Sequence, residues 1–395
     1  MRLGFHYHVP ALKRDNQIYM PGYFGRFVDS LAAQCDSLLC FMHTPLPEEE
    51  PMMDYRLQSQ NANLISLGAH SSLPRRMLRA SQVMNIVRSS RDQMDALLIR
   101  GPTPILPWVA KGCQPLPTVL LLVGDQLAGV DDLPQPRWRK EIIRCWWRWN
   151  TNCQLAVAKQ SLTFVNSRLL YQQLDGKVTN LLETRTTTLE ESDFYIRQDT
   201  CLNRPVHLLY TGRMDSSKGL LDMVNALSIL VVQDEDVVLD LVGWAEKGSI
   251  ILDEIYQLAI NKEVQDRIFY HGYKQVGPEL FAYYKQADIY LIASQSSEGF
   301  PRTIWEAMAN SLPVVATKVG SIPNFITDGI DGILVDPRNP EKLAENIRNL
   351  INSSGLRRTI IYNAINLARS NTLENRSKEM ISEIKEYLLC QKRFY

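Results

Sequence analysis

The sequence contains no Cys-x-x-Cys motif, no segment with the pattern of a signal peptide and no long apolar run. Its seven cysteines are scattered singly without a Cys-x-x-Cys pair, so neither a disulfide framework nor a zinc ribbon is expected. The start, MRLGFHYHVP, lacks the basic region and apolar run of a signal peptide. The longest apolar run, near Val119–Val123, is far too short to cross a bilayer. We therefore expect a cytoplasmic protein that at most lies on a membrane surface.

Net charge is also lacking. The 43 Lys and Arg residues balance 43 Asp and Glu residues, which argues against a dedicated nucleic-acid-binding protein. The two halves nevertheless differ, because residues 1–190 hold 21 basic and 16 acidic residues, whereas residues 191–395 hold 22 and 27. This split of +5 against −5 suggests a surface role for the first half.

Motifs of several other enzyme classes are missing. No nucleophile elbow occurs, and no Gly-x-Gly-x-x-Gly opens a helix after the first strand, which argues against hydride transfer with a dinucleotide. The Asp-x-Asp at 234–236 precedes an apolar strand instead of following one, so we interpret it as a solvated loop. His6 and His8 share the metal-like spacing of a strand face, but we interpret them as a hydrogen-bonded strand-end pair in preference to a metal site. No metal site is predicted.

The sequence does contain enough apolar residues to form the cores of two globular domains. A chain of 395 residues exceeds one ordinary core, and its 45% apolar and 22% charged content is that of a globular protein. The polar stretch Thr184–Asn203 reads as a linker between the halves. We expect a first domain over 1–190, a second over 191–375, and a closing helix over 376–395 that packs back toward the first.

Short β-branched runs alternate with helical segments through most of the chain. Such strands, apolar on both faces, predict an α/β protein with two doubly wound, Rossmann-like parallel sheets facing one another across a cleft. Ligands bind such sheets at the carboxyl ends of the strands. The predicted strands are Arg2–His8, Leu38–Met42, Asn63–Leu67, Asp95–Ile99, Thr118–Val123, Leu162–Val165, Val206–Tyr210, Val237–Val242, Arg267–Tyr270, Asp288–Ala293 and Pro313–Ala316. A helix is predicted over Pro74–Arg91.

The segment LLYTGRMDSSKGLL places two cations at the end of a predicted strand. Gly212 ends the strand, Arg213 projects from it, and Lys218 stands at the start of the next helix. Free N–H groups at a helix start favour anions, and two cations five residues apart suit a diphosphate. The alternative is that Arg213 and Lys218 are solvated loop charges, which are common in such positions.

Two glutamates stand eight residues apart in SSEGFPRTIWEAMA. Glu298 precedes a predicted helix that begins near Arg302, and Glu306 lies within its first two turns. Taken singly, they read as a helix-capping carboxylate and a salt-bridged one. Taken together with Arg213 and Lys218, they predict one elongated ligand, whose phosphates take the cations and whose sugar hydroxyls take the carboxylates.

These segments resemble a known family. The run from EGFP (298–301) through EAMA (306–309) to PVVAT (313–317) is similar to the signature of the retaining family-4 glycosyltransferases, the glycosyl transferases group 1, which have the GT-B fold. YTGRMDSSKG and VGSIPNFITDGIDGILVDP are similar to other segments of that family, and MPGYFGRFVDSLA resembles its glycine-rich loop that closes over the donor. The resemblance is strong over residues 206–350 and weaker before them.

The resemblance implies a set of site residues. Arg213 and Lys218 would hold the donor diphosphate, Glu306 would bind the ribose hydroxyls, and Glu298 would lie against the transferred sugar. Catalytic roles are implied for Glu298, Arg213, Lys218 and Asp125. The implied donor-binding residues are Gly22, Gly212, Arg213, Lys218, Gly272, Tyr273, Glu298, Gly299, Phe300, Pro301, Thr303 and Glu306.

Some positions depart from the family pattern. Where family members commonly carry a histidine in the first domain, this chain has Gly124 and Asp125. The second glycine of the first loop is replaced by Tyr23, while Ser321 and Asn324 stand where Gly and Glu are frequent. These departures affect the sugar and acceptor sides of the implied site more than the diphosphate side.

The resemblance implies an enzyme of retaining, hexosyl-type glycosyl transfer, with no bound metal or cofactor. Its donor would be a nucleotide sugar and its acceptor a saccharide or lipid-linked hydroxyl, in the synthesis of surface polysaccharide, lipopolysaccharide or glycolipid. Two alternatives remain. A sugar-nucleotide epimerase of GT-B fold would need an acid/base pair at the sugar carbon, and a non-catalytic sugar-nucleotide-binding subunit would be expected to lack a signature residue.

The segment RWRKEIIRCWWRWN (137–150) predicts a basic, tryptophan-rich amphipathic helix. Trp138, Ile142, Cys145 and Trp149 would share one stripe, and arginines would lie on another. Such a helix either packs its aromatic stripe against the first domain or lies in a membrane interface as a peripheral contact.

Overall fold

The computed structural model describes residues 1–124, 136–246, 248–295 and 300–392. The chain divides into two compact units. Unit 1 comprises Met1–Thr188 together with Leu373–Tyr395, and unit 2 comprises Leu189–Thr372. None of the described helices combines the length and the apolar character that a bilayer span requires.

Unit 1 is built on a seven-stranded sheet in the order β10-β9-β8-β7-β1-β4-β6, in which every neighbouring pair is parallel. The strands that come between β1 and β6 in the sequence, β4 apart, form a small antiparallel sheet, β2-β3-β5. The strands are β1 (Arg2–His6), β2 (Leu12–Arg14), β3 (Gln17–Met20), β4 (Ser37–Thr44), β5 (Tyr55–Arg56), β6 (Ala62–Ala69), β7 (Ala96–Gly101), β8 (Thr118–Leu122), β9 (Leu162–Val165) and β10 (Leu181–Glu183). The helices are α1 (Gly22–Ala32), α2 (Leu73–Leu78), α3 (Ala80–Ser89), α4 (Leu106–Cys113), α5 (Arg137–Ala158), α6 (Arg168–Leu174) and, from the end of the chain, α13 (Leu373–Lys392).

Apolar residues on both faces of the unit 1 strands explain why helices cover both sides of the sheet. Leu98 and Leu121 belong to a core layer shared with α1 and α13. Their sequence neighbours Leu97 and Leu120 point the opposite way, into a layer shared with α3 and α4. Successive apolar side chains along each strand therefore point to opposite faces of the sheet and pack in two separate cores.

Unit 2 is built on a six-stranded parallel sheet in the order β13-β12-β11-β14-β15-β16. The strands are β11 (Val206–Met214), β12 (Val237–Ala245), β13 (Ile268–Gly272), β14 (Ile289–Ile292), β15 (Val314–Thr317) and β16 (Ile333–Val335). The helices are α7 (Leu220–Val232), α8 (Ile251–Asn261), α9 (Pro278–Gln286), α10 (Arg302–Ala309), α11 (Pro340–Asn352) and α12 (Ser354–Arg369). The two parallel sheets confirm the predicted α/β fold class.

Local structure differs from the prediction at several elements. The loop expected after β1 contains the hairpin β2–β3, whose turn residues Asp15 and Asn16 have φ values of 49° and 60°, as a two-residue type I′ turn requires. The single helix expected over Pro74–Arg91 is divided at Arg79 into α2 and α3. Strands β10 and β16 were not predicted, because each has only three residues.

The polar stretch predicted to be a linker is packed against unit 2 for much of its length. The unit boundary falls after Thr188. Beyond it, the Arg197 guanidinium donates to the backbone oxygen of Ala287 at 2.5 Å, and Asp199 forms a buried ion pair with Arg357, Nε to Oδ1 2.7 Å. Polar residues here are held by buried partners, so their polarity does not mark a flexible segment.

Candidate functional site

The carboxyl edge of the unit 2 sheet brings a cation beside an aromatic ring. β11 and β12 pair so that Gly212 lies opposite Gly243 and Arg213 lies opposite Trp244. A side chain at Gly243 would place its Cβ 1.7 Å from the Gly212 carbonyl oxygen, so only glycine permits this approach. The glycines keep the strand ends close together and set Arg213 and Trp244 side by side.

Arg213 is partly exposed and is oriented by two carboxylates. Its Nε donates to Asp215 Oδ2 at 2.7 Å, and its Nη1 lies 3.4 Å from Glu246 Oε1. Asp215 also accepts the N–H of Ser217 at 2.9 Å and the Ser217 hydroxyl hydrogen. Burial alone would raise the pKa of Asp215, but the Ser217 hydroxyl and the Arg213 charge outweigh it and lower that pKa, so Asp215 is ionised at neutral pH.

Lys218 lies in a segment that is fixed against the end of β14. The next residue, Gly219, has a φ of +67°, and a Cβ there would lie 1.9 Å from the Ala293 carbonyl oxygen. The N–H of Gln295 donates to the Ser217 carbonyl oxygen at 2.7 Å. Burial lowers the pKa of Lys218, because a partly desolvated ammonium group is less stable than a hydrated one.

Glu306 is buried, with 4% of its surface exposed. Its Oε2 accepts the hydroxyl of Tyr284 at 2.8 Å, and that hydroxyl lies 2.6 Å from Thr211 Oγ1. Burial, followed by the charge of Glu306, raises the pKa of Tyr284 well above its ordinary value, so the phenol remains a donor. A partner within the protein therefore explains how a carboxylate is tolerated in an apolar stretch.

A second tyrosine, Tyr290, extends the same network. Burial raises the pKa of its phenol to about 12, while Thr211 and Thr303, at the start of α10, act to lower it. Its hydroxyl lies 3.0 Å from Thr211 Oγ1. Pro301 caps the helix in an extended conformation, as suits the position before a first turn. Phe300 packs on Trp305 with ring centroids 4.4 Å apart, so its side chain anchors the segment that enters α10.

An exposed aromatic pair stands at the ends of β12 and β13. Gly272 closes β13 with a φ of +70°, and Tyr273 follows it. The ring of Tyr273 meets that of Trp244 edge to face, with centroids 5.8 Å apart. Both side chains are exposed, which makes the pair available to stack against a planar ligand.

The remaining predicted site residues lie elsewhere. Gly22 is in unit 1, where it begins α1 and donates its N–H to Asp54 Oδ1 at 2.7 Å; the predicted loop is thus the first turn of a helix. Asp125, Glu298 and Gly299 lie outside the described residues.

The unit 2 edge brings together most of the predicted donor-site residues. Thr211 immediately precedes Gly212 and Arg213, and it is linked through the Tyr284 hydroxyl to Glu306 of α10. The hydrogen bond from the N–H of Gln295 to the Ser217 carbonyl oxygen holds the Lys218 segment against the end of the described range 248–295. This arrangement offers two cations, a helix start and two aromatic rings, a combination suited to a nucleoside diphosphate.

Sequence reasoning missed Trp244, Tyr284 and Thr211. Trp244 enters the site through its register with Arg213, which no local pattern reveals. Tyr284 carries a weak signal, because a tyrosine on the buried stripe of a helix needs a partner for its hydroxyl. Within the described ranges, no group of three or more His, Cys, Asp or Glu side chains is arranged to hold a metal ion.

Comparison with known proteins shows what unit 2 is similar to. Residues 195–367, most of unit 2, match the family model described as glycosyl transferases group 1. This segment is therefore similar to the family that the sequence motifs resemble, over somewhat less than half of the chain.

Curated relatives also match part of the chain. The D-inositol 3-phosphate glycosyltransferase of Paenarthrobacter aurescens is 31% identical over 144 residues, 36% of this chain and 35% of that protein. Spore coat protein SA of Bacillus subtilis is 28% identical over 165 residues, 40% of this chain and 43% of that protein. The chain thus covers about two fifths of the length of these relatives.

Solved structures match nearly the whole chain. A glycosyltransferase from Rickettsia africae aligns with a TM-score of 0.71 and 19% identity, covering 98% of both chains. Anabaena Alr3699/HepE, solved in complex with UDP-glucose, aligns with a TM-score of 0.67 and 16% identity, covering 97% of this chain and 99% of that chain. The likeness shows that the fold is of the GT-B type that the motifs implied.

Proposed function

We propose that this protein is a retaining glycosyltransferase, which moves a sugar from a nucleoside-diphosphate sugar to a hydroxyl of a saccharide or lipid-linked acceptor. The observation that carries the proposal is the convergence at one edge of the unit 2 sheet. There Arg213 lies near the end of β11, Lys218 follows that strand, and hydroxyl groups join the strand end to α10. The match of residues 195–367 to the family model for glycosyl transferases group 1 supports the same activity.

Arg213 and Lys218 are proposed to hold the donor diphosphate and to stabilise the negative charge that develops on it as the sugar departs. The start of α10, with Phe300, Pro301 and Thr303, adds the positive end of a helix dipole. Because these groups supply positive charge directly, we propose hexosyl transfer without a bound metal. The leaving phosphate would help to deprotonate the acceptor on the same face of the sugar.

Other parts of the donor are assigned to neighbouring groups. The exposed rings of Trp244 and Tyr273 are proposed to hold the base by stacking, a contact that contributes about 1–3 kcal/mol per base. Glu306, oriented by Tyr284, is proposed to accept hydrogen bonds from the ribose. Glu298 is proposed to lie against the transferred sugar.

Replacement of Lys218 tests the donor site. A thermal-shift screen of nucleoside diphosphates and their sugars identifies the ligand, because binding to the folded state raises the melting temperature. UDP-glucose is the first to try, since Anabaena Alr3699/HepE was solved with it. Lys218→Ala should weaken binding of that ligand about tenfold or more, through loss of a charge-assisted hydrogen bond, and slow transfer about 100-fold.

Lys262→Ala is the matched control, because Lys262 is an exposed lysine at the end of α8 in the same unit. Unchanged affinity and turnover in Lys218→Ala, or equal losses in both variants, would contradict the proposal. Incubation with the donor alone separates the two enzymatic alternatives, since an epimerase yields a new sugar nucleotide without an acceptor.

We also propose that α5 brings the enzyme to the cytoplasmic face of a membrane, where surface polysaccharide, lipopolysaccharide or glycolipid acceptors are built. The stripe expected to be either packed or membrane-facing is exposed: Trp138 and Ile142 are each 61% exposed, and Trp149 is 46% exposed. Arg137 and Arg148 lie on the same helix and are exposed to solvent. An apolar stripe flanked by cations suits an anionic lipid interface.

Vesicle binding tests this membrane contact. The protein should co-sediment with vesicles that contain phosphatidylglycerol, and less with neutral phosphatidylcholine vesicles or at high salt. Trp138→Ser with Ile142→Ser should weaken binding about tenfold or more, because two large apolar side chains no longer leave water. Leu169→Ser, at an exposed leucine of α6, is the control. Binding that survives the double variant would refute the assignment.

A further inference from the structure

Four side chains at the carboxyl edge of the unit 1 sheet form a second polar cluster. His8 follows β1, His43 lies near the end of β4, and His70 follows β6, three strands that are neighbours in the sheet. Arg76 lies in α2, which follows β6 in the chain. We call His8, His43, His70 and Arg76 the histidine–arginine cluster.

Contacts and electrostatics show that the members are close together. The rings of His43 and His70 have centroids 5.8 Å apart. Burial, followed by the charge of Arg76, lowers the pKa of His8, and the same charge acts on His43. His43 is only 3% exposed, whereas the other three members are partly open to solvent. The cluster is therefore buried at His43 and partly open to solvent at its other members, so a solute can reach it.

Each member has a buried nitrogen without a hydrogen-bond partner in the part of the chain that the structure describes. These nitrogens are Nδ1 of His8, Nε2 of His43, Nε2 of His70, and Nε and Nη1 of Arg76. Buried polar atoms in folded proteins nearly always have partners, from the protein, from water or from a ligand. Five unpartnered nitrogens in one cluster therefore indicate a binding site for a polar molecule.

The protonation of the histidines limits what that molecule can be. His43 Nδ1 donates to the Gly68 carbonyl oxygen at 3.3 Å, so its Nε2 keeps a lone pair. Burial is the main cause that lowers the pKa of His43 to about 3 and that of His8 to about 4. Both are neutral at pH 7. His70 Nδ1 is directed at Glu49 Oε1, 2.7 Å away, which leaves its Nε2 for a ligand.

The cluster thus combines the fixed charge of Arg76 with hydrogen-bond acceptors. The matching ligand carries an oxyanion for the guanidinium and hydroxyl groups that donate to imidazole nitrogens. Glu49 is the carboxylate beside the cluster, and its two oxygens are occupied by His70 and by the N–H of Leu46.

We propose that the histidine–arginine cluster binds the acceptor, and that this acceptor is a hydroxylated anion, a saccharide that bears a phosphate or a carboxylate group. The oxyanion lies against Arg76, and hydroxyls donate to the nitrogens of His8, His43 and His70. The description of this ligand as the acceptor depends on the proposed glycosyl transfer, but the chemistry of the site does not.

Binding of three matched probes tests the site. Glucose 6-phosphate and glucuronate carry the two candidate anions, and glucose carries neither. We expect calorimetry on the full chain to show that at least one anion binds about tenfold or more tightly than glucose. Arg76→Gln should weaken that binding about 10- to 100-fold, through loss of a charged hydrogen bond, and Arg76→Lys should restore part of it.

Arg75→Gln is the control, since Arg75 is the exposed neighbour of Arg76 on α2 and should leave binding unchanged. Equal binding of glucose and both anions, no binding of any probe, or equal losses in the two glutamine variants would overturn the proposal. Donor binding in unit 2 serves as the check on folding and should be unaltered by Arg76→Gln. Arg76-dependent anion binding in a protein that transfers no sugar would retain the site and reject the proposed function.

Discussion

At the residue scale, the Glu306 carboxylate shows how a charge is placed inside a core. Tyr284 holds one of its oxygens, and the same hydroxyl lies within hydrogen-bond distance of Thr211. A buried carboxylate with a well-placed donor keeps a fixed orientation, which a ligand-binding acceptor of hydrogen bonds requires.

Tyr284→Phe removes that donor and should lower the free energy of unfolding by about 1–3 kcal/mol, the usual effect of leaving a buried polar group without its partner. It should also weaken nucleotide binding, because Glu306 loses its orientation. Urea denaturation and calorimetry with the selected nucleotide measure the two effects.

Tyr283→Phe provides the comparison, since Tyr283 is the adjacent tyrosine on α9 and is only partly buried. If both phenylalanine variants lost equal stability, or if Tyr284→Phe bound nucleotide as the wild type does, the hydroxyl of Tyr284 would have no special role.

At this scale, local sequence order indicates where a residue lies, while its role stays a prediction. Arg213 lies near the end of β11 and Lys218 lies between β11 and α7, close to the strand end where the sequence placed them. Trp244 could not be found in this way, because it reaches the site through pairing with a strand 31 positions away. His8 was interpreted as a satisfied strand-end residue, but its Nδ1 has no partner among the described residues.

At the scale of elements, three neighbouring strands of unit 2 are joined by an acid–base triad. Asp240 of β12 lies 2.8 Å from His207 Nδ1 of β11 and 2.7 Å from His271 Nε2 of β13. The hydrogen bond to Asp240 is the main cause that raises the pKa of His207. Burial would raise the pKa of Asp240, but its bonds to the two histidines lower it.

Stability should therefore depend on pH in a defined direction. Because His207 has a higher pKa in the folded state than its ordinary 6.5, it stabilises the fold below pH 6.5, and this contribution is lost as the pH rises through the raised value. The effect should be at most about 1 kcal/mol, since the pair is partly exposed and screened by solvent.

The difference in melting temperature between the wild type and Asp240→Asn isolates this contribution. That difference should shrink from pH 6 to pH 8. The histidines of unit 1 with lowered pKa values act in the opposite direction and below pH 6.5, and they cancel because both proteins contain them. A constant difference over this range would exclude the coupling.

Elements were predicted best where apolar runs are long. The central strands of both sheets were found because their residues are buried on both faces. The hairpin β2–β3 was missed, because strands of three and four residues give too short an alternation to detect. The break between α2 and α3 at Arg79 contains no Pro or Gly, so the sequence holds no helix-ending residue from which it could be predicted.

At the scale of the molecule, the division into two α/β units follows from chain length and from the alternation of strands and helices. The stretch after Thr188 was the hardest part to predict. Its polar residues are held by distant partners, such as Arg357 for Asp199, 158 positions along the chain. Composition alone does not distinguish such a segment from a solvated linker.

The return of α13 to unit 1 has a consequence for biosynthesis. Leu373, Met380, Ile381 and Ile384 complete a core whose other members come from the first half of the chain. Domains generally fold as units while the ribosome is still at work, and here every residue of unit 2 has been translated before the last apolar residues of unit 1. Unit 1 is therefore the first to be translated but the last to be completed. Until α13 has been made, one face of its sheet lacks the apolar residues that complete its core.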